Sequence, residues 1–106
     1  MTRLCDRHCE HRTSGIDVAA ARSFAAELPG WEISATGVTK EFRFPDYPAT
    51  VMFVNAVAFL AQREDHHPDI AFGYNRCRVS FSTHSVGGLS ENDLICAARI
   101  EATLAS

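Results

Sequence analysis

Residues 63–74, REDHHPDIAFGY, set His66 and His67 side by side, with acids before them and a proline after. Adjacent side chains diverge, so such a pair rarely serves one metal ion, and a structural histidine needs no twin. His84 follows just before Gly87-Gly88, and Asp93 stands nine residues beyond it. Imidazoles with a carboxylate suit proton transfer near neutral pH, because a histidine with a pKa of about 6.5 both gives and takes a proton there. No Ser or Cys occupies a recognisable nucleophile elbow. The chemistry indicated is therefore non-covalent acid–base work, such as an elimination or a tautomerisation. Each residue also has a plain structural explanation. A histidine at a helix C-terminus serves as a dipole partner, Asp65 can simply end a helix, and Ser90-x-x-Asp93 has capping-box spacing.

To act together, these residues must be carried to one place. Residues 16–28 are Ala-rich, with Val18, Ala21, Ala25 and Leu28 at helical spacing and Pro29-Gly30 as the stop; they predict a helix of roughly three turns. Residues 31–44 predict a hairpin turning at Ala35-Thr36-Gly37. In its return strand Val38, Phe42 and Phe44 share one face, and Lys40 intrudes on it. Asp46 is a candidate N-cap and Pro48 an early-helix proline for the next helix. Its expected stripe is Val51, Val54, Ala58 and Ala61, widened by Phe53, Val57 and Leu60. That helix ends near Asp65, since Pro68 disfavours helix at the residue before it. Residues 70–74 are a short strand candidate, and 76–83 a clearer one, with Cys77, Val79, Phe81 and Thr83 alternating. A last helix starts at Ser90 and buries Leu94, Ala97, Ile100 and Leu104. The pattern predicts an α+β fold: a four-stranded antiparallel sheet with three helices packed on one face, in the order α-β-β-α-β-β-α. The histidines then fall at junctions, and they converge if those junctions share one end of the sheet.

The chain has 106 residues, 46% of them apolar and 22% charged, which predicts one globular domain over 15–106 after a flexible tail at 1–14. Its net charge of -3 argues against direct binding of nucleic acid. No apolar run reaches membrane-spanning length, and the polar N-terminus has no signal-like apolar stretch; the expected setting is cytoplasmic, with reduced thiols. Cys77 and Cys96 lie in apolar patterns and are expected in the core. Cys5, His8, Cys9 and His11 are zinc-compatible ligand types, but their spacing matches no common finger. They are read as an oxidation-prone tail, with no metal assigned.

Taken together, DHHPD (65–69), Tyr74-Asn75, STH (82–84) and GGLSENDL (87–94) resemble pterin-4a-carbinolamine dehydratase, and LPGW (28–31) matches that family's first helix-to-strand junction. The resemblance covers roughly residues 16–104. It implies the same four-stranded sheet with three helices on one side, assembled as homodimers or homotetramers. It implies dehydration of a 4a-hydroxytetrahydropterin to quinonoid dihydropterin in tetrahydrobiopterin recycling. By that resemblance His66 and His84 are the acid–base pair and His67 mainly holds the pterin. Asp93 orients His84 or binds the ring's polar edge, and Asp65, Pro68, Tyr74, Ser82 and Thr83 complete the substrate site. The pterin is the substrate, and no metal or organic cofactor is expected. The chain departs from the family at Gln62, where members often carry Glu, and at Ile70, where many carry an aromatic residue. The family also has non-enzymatic relatives. The alternative expectation is a dehydratase-like binding module, such as a Rubisco assembly factor of carboxysomes or a transcriptional dimerisation cofactor. The broad apolar helix over 51–61 suits such a protein client, and it suits a homo-oligomeric interface better.

Overall fold

The alternating segments become the sheet. In the computed structural model, which describes residues 2–105, β1 (Glu32–Ser34) and β2 (Gly37–Arg43) form the first hairpin, and β3 (Asp69–Phe72) and β4 (Arg76–Phe81) the second. All pairings are antiparallel and the strand order is β1-β2-β4-β3. The two long strands therefore sit in the centre, with Val38 opposite Phe81 and Phe42 opposite Cys77. The two-residue pleat buries Val38, Phe42, Cys77, Val79 and Phe81 on one face. Gly37 opens β2 at φ +145°, and a Cβ there would meet the Phe81 carbonyl oxygen at 2.1 Å. Only glycine fits that crossing.

Three helices, α1 (Val18–Arg22), α2 (Tyr47–Glu64) and α3 (Glu91–Thr103), accompany the sheet. The predicted three-turn first helix is shorter in the structure. Five residues are α-helical, and the chain then kinks into a 3₁₀ turn at Ala25–Glu27. The Ser23 hydroxyl donates to the Ala20 carbonyl at 2.6 Å, a local bond of the kind that competes with helix continuation.

The start of α2 is as expected. Asp46 accepts from the Ala49 N–H at 2.9 Å, and Pro48 lies in the first turn. Its buried stripe is rotated from the predicted one. Thr50, Phe53, Val57 and Ala61 are buried, whereas Val51 and Val54 are half-buried and Ala58 is exposed. Phe53 sets the rotation, since its ring packs 4.6 Å from Phe42 and 5.0 Å from Phe44. The Lys40 intrusion is also resolved. Its ammonium donates to the Pro29 carbonyl at 2.7 Å and to Glu101 at 2.9 Å, and it stands 4.8 Å from the Phe42 ring centre.

The capping box of α3 forms as predicted. Burial extends beyond one stripe: Leu94, Ile95, Cys96, Ala97, Ala98 and Ile100 are all buried. The cause is a second cover. The stretch before Gly15, expected as a loose tail, is laid along α3, with Leu4 fully buried. Its backbone finds partners on the body: Leu4 N–H donates to Glu27 at 2.8 Å, Cys9 N–H donates to Glu64 at 2.7 Å, and Arg99 donates to the Arg7 carbonyl. Among the described residues no helix is long and apolar enough to cross a membrane.

Candidate active site

Asp65 ends α2 in the left-handed region, at φ 52°, and the His66 N–H then donates back to the Ala61 carbonyl at 3.2 Å. This tight stop turns His66 off the helix toward β4. Its ring lies nearly parallel to that of Phe81, with centres 5.8 Å apart and planes 13° apart. Its Nε2 lies 2.6 Å from Asp93 Oδ1. A carboxylate accepts, so Nε2 carries the proton, and Nδ1 is the basic nitrogen of the neutral ring.

Asp93 is fully buried. A buried carboxylate is costly unless donors surround it, and here they do. Ser90 N–H donates to Oδ2 at 2.9 Å, and the Thr83 hydroxyl lies 3.1 Å from each oxygen. Thr83 and Ser90 hydroxyls are 2.6 Å apart, and Ser90 Oγ accepts from Asn92 N–H at 3.2 Å. With Thr83 donating to Asp93, Ser90 donates to Thr83, and one ordered chain of hydroxyls leads into the carboxylate. Among the described residues no buried side-chain polar atom lacks a partner. The capping explanation and the functional one thus use the same carboxylate: one oxygen caps α3 and the other holds His66.

In front of this network lies a polar pocket of about 600 Å³. The end of α2 and the approach to β3 contribute Asp65, His66, His67 and Pro68. The segment after β4 contributes Ser82, Thr83 and His84. The junctions do share one end of the sheet. Two placements differ from expectation. Asp93 bonds to His66, not His84. Tyr74 is not part of this pocket: its carbonyl accepts from Thr50 at 2.9 Å and its ring stacks on Tyr47 at 6.3 Å. Both partners belong to the first turns of α2, about 21–26 Å along the helix from the end that leads into His66.

The departures at Gln62 and Ile70 acquire a geometry. Gln62 Oε1 accepts from His67 Nε2 at 2.8 Å. A carboxylate at that place would favour the imidazolium; the amide orients the ring without adding charge. Ile70 is a half-buried residue of β3, opposite Val79, and packs against the core.

One wall was not foreseen. Cys9, Glu10, His11 and Arg12 line the pocket, together with Glu64, Ser85 and Asn92. The stretch is tied down at several points. Glu10 N–H donates to Asn92 Oδ1 at 3.2 Å, Asn92 Nδ2 returns a bond to the Glu10 carbonyl at 2.6 Å, and Ser85 donates to the Arg12 carbonyl at 2.7 Å. Arg12 also reaches Asn92 and Glu91, at 2.8 and 3.3 Å. The soft-ligand residues point to separate partners, His8 to Glu64 at 3.0 Å and Cys9 to Cys96 at 3.5 Å. Among the described residues no group of three or more His, Cys, Asp or Glu side chains is set to hold a metal ion.

Glu64 is the wall's charged anchor. Burial pushes its carboxyl up, but the Cys9 N–H, His8 and the Arg99 guanidinium outweigh it and hold it below the usual range. A lowered folded-state pKa contributes stability above the unfolded carboxylate range, and that stability is lost as pH falls through the folded value. Glu64→Gln should therefore lower the Tm at neutral pH, and the gap from wild type should shrink toward pH 3. Melts across that range check it; a gap independent of pH would remove Glu64 as the anchor.

The chain resembles known proteins over most of its length. The pterin 4 alpha carbinolamine dehydratase family model matches residues 14–103. A protein of Nitrosospira multiformis, provisionally named a pterin-4-alpha-carbinolamine dehydratase, is 46% identical over 100 residues, covering 94% of this chain and 88% of its own. One of the same provisional name from Xanthomonas oryzae pv. oryzae is 53% identical, covering 87% and 82%. Among solved structures, a transcriptional coactivator/pterin dehydratase from Brucella melitensis superposes with a TM-score of 0.77 at 28% identity, over 84% of this chain and 97% of that one. A pterin dehydratase-like protein identified as a RuBisCO assembly factor in the alpha-carboxysome shares the fold, with a TM-score of 0.57 at 24% identity, over 90% and 94%. With this match over nearly its whole length, the chain belongs to the pterin-4-alpha-carbinolamine dehydratase family.

Proposed function

We propose that the protein dehydrates a 4a-hydroxytetrahydropterin to the quinonoid dihydropterin. The observation that carries this reading is the His66–Asp93 pair, set at 2.6 Å behind a pocket that also receives His67 and His84. Loss of water from the carbinolamine needs two proton transfers. N5 gives up a proton, its electrons form the C=N bond to C4a, and the C4a–O bond breaks as the hydroxyl is protonated. The buried carboxylate holds the Nε2 proton of His66 and fixes the ring, which leaves the Nδ1 lone pair to take the N5 proton. His84 is exposed, so it can protonate the leaving hydroxyl and recover its proton from water. His67, oriented by Gln62, holds the ring. Proton gain and loss cancel over the cycle, and the reaction as written calls for no cofactor.

A relative that only binds other proteins would need Asp93 for the α3 cap, but not His66, His67 and His84 gathered around one pocket, and this convergence favours the enzyme over an assembly factor. The test is the decay of a freshly generated 4a-carbinolamine. Micromolar wild-type protein should speed it, and His84→Ala should lose at least about tenfold of that acceleration. Wild-type protein that leaves the decay unchanged overturns the proposal.

A further inference from the structure

The Cys9 and Cys96 sulfurs lie 3.5 Å apart although the residues are 87 positions apart in sequence. Cys96 is fully buried on α3, whereas Cys9 is half-buried and lines the pocket, which gives small solutes a route to its sulfur. Cys9 belongs to no helix or strand. A modest backbone shift would bring the sulfurs from contact to the disulfide bonding distance of about 2.05 Å. Cys77 is buried under the sheet and Cys5 is half-buried elsewhere, so each serves as an internal control.

We propose that Cys9 and Cys96 form an oxidation site, at which a hydroperoxide joins them in a disulfide that fastens residues 9–12, one wall of the pocket, to α3. The Cys9 thiolate attacks the hydroperoxide: an S–O bond forms, the O–O bond breaks, and the departing oxygen takes a proton and leaves as water or an alcohol. Cys96 then attacks the Cys9 sulfur: the S–S bond forms, the S–O bond breaks, and the departing hydroxide leaves as water with the Cys96 proton. Two thiols are oxidised by two electrons and one hydroperoxide is reduced. The order of attack follows from the surroundings. The hydrogen bond with Cys9, and then burial, hold the Cys96 thiol far above the usual range, so Cys9 reacts first and Cys96 resolves it.

The test treats the full chain with one equivalent of hydrogen peroxide and measures intact mass, peptide links and melting. A loss of about 2 Da is expected, one hydrogen from each thiol. A Cys9–Cys96 peptide should appear, Cys5 and Cys77 should stay free, and the Tm should rise and fall back with dithiothreitol. Cys96→Ser should stop at a Cys9 sulfenic acid that dimedone captures, and Cys9→Ser should resist the same dose. No mass loss, or a link through Cys5 or between chains, overturns the site. A Cys9–Cys96 disulfide with unchanged Tm overturns the fastening. None of these readouts involves pterin, so they stand apart from the dehydration assay.

Discussion

Asp93→Asn is expected to slow dehydration by about 10²- to 10⁴-fold, the size of effect that general acid–base groups command. The change keeps the shape of a fully buried side chain but replaces one acceptor oxygen with a donor. The wild-type oxygens receive His66 Nε2, Ser90 N–H and the Thr83 hydroxyl. If the new amide group faces Ser90, two donors oppose each other and the Asp93 half of the α3 capping box is lost. If it faces His66, the ring must accept at Nε2 and move its proton to Nδ1, so the base becomes a donor. Either arrangement should also cost about 1–3 kcal/mol of stability, the penalty for a buried polar group left unsatisfied. Turnover and urea melts on the same preparation separate the two losses. An Asp93→Asn variant with turnover within about threefold of wild type would remove the His66–Asp93 pair from the mechanism.

Leu4→Ala should lower stability by about 2–4 kcal/mol, within the range for emptying a leucine site in a packed core. Leu4 is fully buried and covers the outer side of α3. The cost has a ceiling, because residues 2–14 can leave the body instead of spanning a cavity. Amide exchange discriminates: the Cys9 and Glu10 N–H groups, bound to Glu64 and Asn92, should exchange much faster in the variant. Unchanged exchange would mean that the side-chain bonds of Asn92 and Arg12 hold the wall without Leu4.

The sheet and α3 were legible because their signals are local. Alternation over Cys77, Val79 and Phe81 and the Ser90–Asp93 cap need no knowledge of distant residues. The rotation of α2 was not legible, since all-round apolar character fits several faces and a tertiary contact, Phe53 against Phe42, chooses among them. His66, His67, His84 and Asp93 could be picked out by type and spacing. Which histidine Asp93 holds could not, because that depends on the left-handed turn at Asp65. The N-terminal wall left no local trace: Glu10 meets Asn92 across 82 positions and Arg7 meets Arg99 across 92. Four soft ligands in one short stretch drew attention to it, for a different reason from the one its packing supplies.

Those separations bear on how the molecule comes into being. Residues 4–12 emerge from the ribosome some eighty residues before the helix that receives them, and until α3 exists Leu4 has nothing in that helix to cover. Closing so long a loop is a slow step, and its entropy must be met before the contact gives anything back. The two hairpins can pair early, whereas the pocket stays three-sided until α3 is folded. During synthesis the apolar underside of the sheet and the Leu4 segment are exposed together, which makes this interval the one in which the chain is most open to association with other chains.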